Sequence, residues 1–177
     1  MATISAFKAQ MSGGGARPNQ FRVVLNFPAV VGSSGVRAGQ AAEFLCRAAS
    51  LPASTVQDIV VGFRGRPVHF AGERDFAPWV VSVLNDNNFV IRNTFEKWSN
   101  AIVNYDATNG ILRPSDYMVD MSVFQLDRDD EVVKEYRFYD AYPTAIGEIP
   151  LSFDQNNTIE EFPVQFVYNY FRTSDIG

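Results

Sequence analysis

The stretch Phe162–Phe171 has the sequence FPVQFVYNYF, in which large apolar or aromatic residues occupy every second position. Successive side chains of a β-strand point to opposite faces of a sheet, so this alternation predicts a long, half-buried strand. The residues that would share its buried face are Phe162, Val164, Phe166, Tyr168 and Tyr170. Near the other end of the chain, Phe21–Phe27 (FRVVLNF) has the same pattern and predicts a second strand.

Further strands are predicted between these two ends. The segments Val56–Phe63 and Pro67–Ala71 flank Arg64-Gly65-Arg66, where Gly65 can supply the positive φ of a tight turn. They predict an extended hairpin over residues 56–71 that has a basic tip and few residues requiring burial. Additional strands are expected at Phe76–Leu84, with Pro78 at an edge or bulge, and at Tyr117–Leu126 and Val132–Tyr139, which are joined by an acidic turn.

One helix is predicted, over residues 88–103. The stretch Asn85–Asn88 offers capping side chains. After it, Ile91, Phe95, Trp98 and Ile102 recur at helical spacing and form one apolar stripe that we expect to pack on the sheet. The segment Pro28–Gly39 is predicted to be a loop, Ala42–Leu51 a strand or a short helix, and residues 1–18 a flexible N-terminal arm.

Together these elements predict a mainly β protein. We expect a β-sandwich or small β-barrel with one packed α-helix and extended polar arms at both ends, in a single domain covering residues 1–177. The hydrophobic content of 46% is sufficient for a sizeable core. No apolar run is long enough to cross a bilayer, and the N-terminus lacks a signal-peptide pattern, so we expect folding in a cytosol without membrane contact.

The charge of the chain is unevenly distributed. Residues 1–74 carry a net charge of +5 and residues 75–177 a net charge of −10, which gives −5 overall. An acidic chain is not expected to clamp nucleic acid, since this requires a basic surface. The asymmetry has two interpretations: chance, because the two halves mix in space, or a polar subunit whose basic part meets the acidic part of the next copy.

The sequence provides little evidence of catalysis. It contains one histidine, His69, and one cysteine, Cys46, and the spacing between them does not support a nucleophilic pair. The acidic turn 127–131 lacks the glycine and distal glutamate of a calcium loop. We therefore predict no catalytic residue, no metal and no cofactor, although a hydrolase that uses Cys46 and His69 stays open as an alternative.

An ordered set of short segments occupies the chain between residues 16 and 102. It comprises ARPN at 16–19 with Phe21, CRAASLP at 46–52, FRGR at 63–66, AGERDF at 71–76, PW at 78–79, ND at 85–86, FVIRN at 89–93 and FEKW at 95–98. In this order and spacing the set resembles the tail tube proteins of contractile-tailed bacteriophages. The segments 28–39 and 142–157 depart from the pattern of that family.

The resemblance implies a structural, non-enzymatic subunit whose fold is shared with tube proteins of type VI secretion systems and phage-like injection particles. Hexameric rings would stack head to tail into a hollow conduit for DNA ejection. The implied partners are further copies of the chain, the tail sheath protein, a tape-measure protein, a baseplate tube initiator and a tail terminator. DNA would pass through the lumen without specific binding. The subunit would belong to a virion tail assembled in the host bacterial cytoplasm; the alternative is the tube of a phage-derived extracellular contractile injection system.

Three surfaces are expected on this basis. The hairpin tip (Arg64, Gly65 and Arg66) would reach the adjacent ring and meet acidic residues there, with Glu160 and Glu161 as candidates. The outward face of the helix, with Arg92, Glu96, Lys97 and Asn100, is the candidate sheath contact. The lumen candidates are Asp120 and Ser122, because neighbouring Tyr117, Val119, Met121 and Val123 occupy the opposite, apolar face. We predict a neutral or weakly acidic lumen, since lysine and arginine there would bind phosphate.

Overall fold

A computed structural model describes residues 3–11, 14–107, 109–111 and 113–174. Within these residues the chain forms nine strands and four α-helices. In chain order they are α1 Ile4–Gln10, β1 Phe21–Val24, α2 Ser33–Leu45, β2 Cys46–Ala49, β3 Ser54–Phe63, β4 Arg66–Phe76, β5 Trp79–Leu84, α3 Val90–Ile102, α4 Pro114–Tyr117, β6 Val119–Leu126, β7 Val132–Ile146, β8 Glu161–Val167 and β9 Tyr170–Thr173; a short 3-10 helix, Ala29–Val31, precedes α2.

Seven strands form one bent antiparallel sheet in the order β1-β6-β7-β8-β5-β2, with β9 also paired to β7. The long strand β7 pairs with β6 and β9 along its first part and with β8 along its second part. The two parts of the sheet enclose the core, where the rings of Trp79 and Phe138 stack with centroids 4.3 Å apart. The predicted mainly β fold is confirmed, and the sheet does not close into a barrel within one chain because β1 and β2 are its two ends.

The predicted strand Phe162–Phe171 is interrupted. Phe162 and Phe166 are fully buried, as the alternation predicted, and Tyr168 is nearly so. The chain leaves β8 after Val167, and β9 pairs with a different part of β7. This change of partner places Tyr170 on the opposite face, where it is 37% exposed. The prediction was therefore correct as far as Tyr168 and wrong for Tyr170.

Helix α2 occupies a segment that we predicted to be a loop. Its buried positions are small residues, Gly35, Ala38 and Ala42, so no stripe of large apolar residues marks it in the sequence. A Cβ atom at Gly35 would lie 2.8 Å from the Val31 side chain and 3.0 Å from that of Phe27. Close packing against the rest of the chain thus stabilises a helix that glycine by itself disfavours. Likewise, the arm that we expected to be flexible contains α1, none of whose residues is buried.

Helix α3 lies within the predicted range 88–103. Ile91, Phe95 and Trp98 are at most 1% exposed, so the predicted apolar stripe is confirmed. The side chain of Asp86 caps the helix by accepting a hydrogen bond from the Val90 N–H at 2.9 Å. The helix packs against α2 as well as against β7.

Candidate functional site

The hairpin β3–β4 is a separate two-stranded sheet. Its strands are joined by Arg64 and Gly65, whose φ angles of 49° and 81° are both positive. Phe63 pairs directly with Arg66 across this two-residue loop. Positive φ at both loop positions matches the right-handed twist of the strands, and glycine adopts it without steric cost. The hairpin is longer than the predicted range 56–71, since it extends from Ser54 to Phe76.

One face of this hairpin is apolar and exposed. Val61 pairs with Val68, and Ile59 with Phe70, next to Phe63 at the tip. The exposed fractions of these five residues range from 39% to 63%. This surface was not predicted from the sequence, although the alternation of Ile59, Val61 and Phe63 was the pattern that could have revealed it. A set of apolar residues of this size, left exposed on a strand pair, is typical of a surface that another chain covers.

The opposite face of the hairpin is more polar. His69 Nδ1 lies 2.7 Å from Asp58 Oδ2, and both side chains are more than half exposed. Val60, the neighbour of Val61 in sequence, lies on this face and pairs with His69. The hairpin therefore has two different faces, one apolar and one that carries the hydrogen-bonded pair of His69 and Asp58.

The charged residues that we predicted for contacts between rings lie in two separate places. Arg64 lies at the hairpin tip, with its guanidinium 5.4 Å from the Phe63 ring centre. Glu160 accepts a hydrogen bond from the Asn85 amide at 2.9 Å. Glu161 forms an ion pair with Arg47 at 2.7 Å. Both glutamates are exposed, but each has a partner within its own chain.

The outward face of α3 is partly engaged. Arg92 donates to Glu96 at 2.9 Å and to the carbonyl oxygen of Gly147 at 2.9 Å, so it links the helix to the chain after β7. The side-chain oxygen of Asn100 accepts the Tyr105 N–H at 3.0 Å. Lys97 is exposed. Of the four residues that we predicted for the sheath contact, Lys97 therefore presents the most accessible side chain.

The two lumen candidates lie side by side on the outer face of β6. Asp120 accepts a hydrogen bond from Arg137 at 2.9 Å, and the Ser122 hydroxyl donates to Glu135 at 3.3 Å. The Asp120 carboxylate raises the pKa of Arg137 above its ordinary value, first through the hydrogen bond and then through its charge. The Asp120–Arg137 ion pair neutralises the charge of both side chains locally, so this face carries opposite charges rather than a uniformly acidic surface.

The structure gives Cys46 and His69 different partners. The thiol of Cys46 lies 3.7 Å from the carbonyl oxygen of Ala48 at one edge of the main sheet, whereas His69 contacts Asp58 on the hairpin. Burial raises the pKa of Cys46 to about 12, so the thiol is protonated at neutral pH and is a poor nucleophile. Among the described residues there is no group of three or more His, Cys, Asp or Glu that could hold a metal ion. None of the helices in the described ranges has both the length and the apolar character to span a membrane.

Comparisons with known proteins identify the family. The family model described as phage tail tube protein matches residues 16–174. The tail tube protein gp19 of Enterobacteria phage T4 is 35% identical over 166 residues, which are 92% of this chain and 94% of the relative. The tail tube protein of Serratia phage KSP90 is 27% identical over 170 residues, covering 95% of each chain.

Solved structures share the fold at lower sequence identity. A chain of the tube-terminating cap of the anti-feeding prophage has a TM-score of 0.64 at 16% identity, over 90% of this chain and 91% of that one. A chain of the sheath–tube complex of the extracellular contractile injection system PVC has a TM-score of 0.54 at 10% identity, over 98% and 99%. The match to the family model and the identity to the T4 protein both span nearly the whole sequence, and the chain therefore belongs to the phage tail tube protein family, as a structural component of a phage tail.

Proposed function

We propose that this tail tube protein forms hexameric rings that stack head to tail into the hollow tube of a contractile tail, through which DNA leaves the virion. The apolar face of the hairpin, formed by Ile59, Val61, Phe63, Val68 and Phe70, is the observation that carries this proposal. An isolated two-stranded hairpin is at best marginally stable in water. Further copies of the chain would both support the hairpin and remove its apolar face from solvent.

The arrangement of the surfaces favours a contact between different surfaces of neighbouring copies. The apolar hairpin face occurs once per chain and would be covered by a differently shaped part of a neighbour. Such heterologous contacts produce a ring when the rotation closes and a filament when it does not, and a stack of rings requires both. Free sheet edges at β1 and β2 provide further positions at which a neighbouring strand could pair.

The hairpin tip is proposed to reach the adjacent ring. Arg64 and Arg66 would meet Glu160 and Glu161 of a copy in that ring. Because Glu161 already pairs with Arg47, this contact would add a second cation to an existing ion pair rather than neutralise an unpaired carboxylate. Charge pairs of this kind set the register between copies more than they set the affinity.

The remaining partners are proposed from the assemblies of similar chains. Chains of similar fold occur in solved structures of a baseplate, a tube-terminating cap and a sheath–tube complex, all from injection particles. A corresponding sheath would contact the outward face of α3, mainly through Lys97 and Glu96, with Arg92 and Asn100 at its margin. A baseplate initiator and a tail terminator would begin and end the tube, and a tape-measure protein would occupy its lumen during assembly in the host cytoplasm.

The outer face of β6 and β7 is proposed to line the lumen. Its Asp120 and Ser122 are bonded to Arg137 and Glu135, so opposite charges alternate along this face. A lining of this kind has little net attraction for phosphate and would let DNA slide. The tube of a phage-derived injection particle is the second candidate, supported by the fold shared with such particles. The higher identity to the T4 protein favours the phage.

Negative-stain electron microscopy of the purified protein tests the proposal. We expect rings or tubes of uniform diameter, whereas featureless monomers at every protein concentration would contradict it. Incubation with model ester and peptide substrates, with and without the Cys46→Ala change, tests the non-enzymatic role. Turnover that depends on Cys46 would revive the hydrolase alternative. Genes for capsid and portal proteins next to this gene would distinguish a virion from an injection particle.

A further inference from the structure

Four side chains on the outer face of β7 and β9 form one stacked cluster, which we name the Arg–Tyr platform: Arg137, Tyr139, Tyr170 and Arg172. The rings of Tyr139 and Tyr170 stack with centroids 4.7 Å apart. The Arg172 guanidinium lies 5.8 Å from the centre of the Tyr139 ring and 5.7 Å from that of Tyr170. Arg137 lies 5.3 Å from the Tyr139 ring. Tyrosine and arginine are among the residues that most often dominate the energy of protein–protein contacts.

The two arginines of the platform differ in their charge partners. Arg137 is neutralised by its ion pair with Asp120 at 2.9 Å. The other carboxylates near this face, Asp140 and Glu135, are hydrogen-bonded to an amide and a hydroxyl group. Among the described residues, no carboxylate lies within ion-pair distance of Arg172. Arg172 is therefore an exposed cation, held in place by two aromatic rings, that lacks a counter-ion within the described part of its chain.

A groove of about 360 Å³ lies beside the platform, between the base of the hairpin and β9. Arg74 on one side and Arg172 on the other flank it, and Phe76 and Phe171 are among its lining residues. The two phenylalanine rings pack edge to face with centroids 5.4 Å apart. The groove is thus a concave surface with two flanking cations and an aromatic lining, which suits a protruding acidic segment.

The same sheet carries such a segment at its other end. We name the turn between β6 and β7 the acidic tip; it contains one cation, Arg128, and four carboxylates, those of Asp127, Asp129, Asp130 and Glu131. The Asp127 side chain accepts the backbone N–H groups of Asp129 at 2.8 Å and Glu131 at 3.0 Å, which holds the turn in one shape. Asp129, Asp130 and Glu131 are exposed. The tip is therefore a preformed acidic protrusion rather than a loose loop.

A chain cannot bring its own tip onto its own platform. Five residues of β7 lie between Glu131 and Arg137, which places the two about 20 Å apart along an extended strand. Both ends belong to one hydrogen-bonded sheet, so this separation is rigid. Any contact between tip and platform must therefore join two molecules, through a different surface of each.

We propose that the Arg–Tyr platform binds the acidic tip of a second copy of this chain, in a head-to-tail contact between stacked subunits. The inference rests on the proposed function because it requires stacking of copies. A guanidinium stacked on aromatic rings is already oriented, and its N–H edge is still available for two parallel hydrogen bonds to a carboxylate. Arg172 and Arg74 would bind the carboxylates of Asp129 and Glu131 across the groove.

Two observations favour a protein ligand over nucleic acid. Bases bind single-strand proteins by stacking on free aromatic faces, whereas Tyr139 and Tyr170 stack on each other and lie against guanidinium groups. The platform also shares its face with Asp120, the proposed lumen residue. An uncovered arginine there would bind phosphate and slow the passage of DNA, whereas the acidic tip of the next copy would neutralise it.

Charge reversal in assembled protein tests the contact. Arg172→Glu and, separately, the double change Asp129→Lys with Glu131→Lys should each raise the critical concentration for tube formation at least about tenfold, because like charges would then meet. The triple variant that combines them should return to within about threefold of the original protein. Asp127 and Asp130 are left unchanged, since one caps the turn and the other has a φ angle of 61°. Arg37→Glu, at an exposed position of α2 that belongs to none of the proposed contacts, is the control for an equal change in charge.

The same experiment separates the outcomes. If Arg172→Glu assembles normally while retaining its melting temperature, or if the triple variant is not restored, the platform contact is overturned although the tube survives. If the unchanged protein never forms rings or tubes, the proposed function fails as well.

Fluorescence anisotropy with a labelled DNA duplex and single strand tests whether the platform binds nucleic acid instead. DNA binding by the dilute, unassembled protein that the Arg172→Glu change abolishes would overturn the inference in favour of nucleic-acid contact. Should Arg172→Glu fail to fold, the tip variant carries the test, with Arg172→Lys, which retains the charge without the planar stacking, as the milder platform change.

Discussion

Two neighbouring valines in the hairpin provide a matched test of the proposed assembly. Val61 lies on the apolar face opposite Val68, and Val60 lies on the other face opposite His69. Their exposed fractions are similar, 49% and 56%. Changing either residue to threonine alters the side chain by one methyl-to-hydroxyl replacement and preserves the preference for a strand. The two substitutions therefore differ mainly in the face of the hairpin that they alter.

The expected magnitude follows from burial of the new hydroxyl. If a neighbouring copy covers the apolar face, Val61→Thr places a hydroxyl group where no partner is expected, at a cost of about 1–3 kcal/mol per contact. This corresponds to a roughly 5- to 150-fold weaker association at each contact. On the uncovered face, Val60→Thr should change the association by less than about twofold, as for other exposed sites.

Sedimentation velocity over a range of protein concentrations, supported by negative-stain images, measures both effects. The melting temperature of the dilute, unassembled protein should be nearly equal for the two variants, since each residue is about half exposed there. The reasoning is refuted if Val61→Thr assembles like the original protein. It is also refuted if Val60→Thr weakens assembly to the same extent, because the hairpin would then have no distinct covered face.

Four further results are expected. The double change Arg64→Glu with Arg66→Glu should leave rings or monomers but no tubes in electron micrographs; normal tubes would exclude the tip as a stacking contact. Trp98→Ala should lower the free energy of unfolding by about 3–5 kcal/mol in denaturant titrations, since the indole is fully buried and donates to the Tyr117 carbonyl at 2.9 Å. The control, Lys97→Ala, should change this free energy by less than about 0.5 kcal/mol. With a pKa near 12, Cys46 should react with a disulfide reagent at pH 8 far more slowly in the native than in the denatured protein. The pKa of Cys46 in the folded protein lies above that of an unfolded thiol. Its contribution to stability should therefore be complete below about pH 8.5 and should decline as the pH rises towards 12. A native thiol as reactive as the denatured one would contradict both expectations.

Local periodicity was sufficient for the elements whose burial pattern is regular. The stripe of Ile91, Phe95 and Trp98 predicted α3, and the alternation in Phe162–Tyr168 predicted β8, because large apolar residues recur there with the period of the backbone. Helix α2 was missed because its buried positions are glycine and alanine. Such small residues produce no stripe, and Gly35, which by itself disfavours a helix, packs closely against Phe27 and Val31.

The candidate surfaces likewise fall into features that the sequence indicated and features that only the tertiary structure revealed. The sequence by itself indicated the hairpin turn at Gly65, the basic and acidic turns, the mainly β fold and, through an ordered set of motifs, the family. Alternation shows that a strand face is to be buried, but it cannot show what buries it. Only the tertiary structure revealed that the Val61 face has no cover within the described part of its own chain, and that Glu161 already pairs with Arg47. Likewise, Tyr139 and Tyr170 stack because β9 pairs with the first part of β7, whereas β8 pairs with its second part. This pairing joins segments that are distant in sequence, so the residues of one strand alone do not predict it.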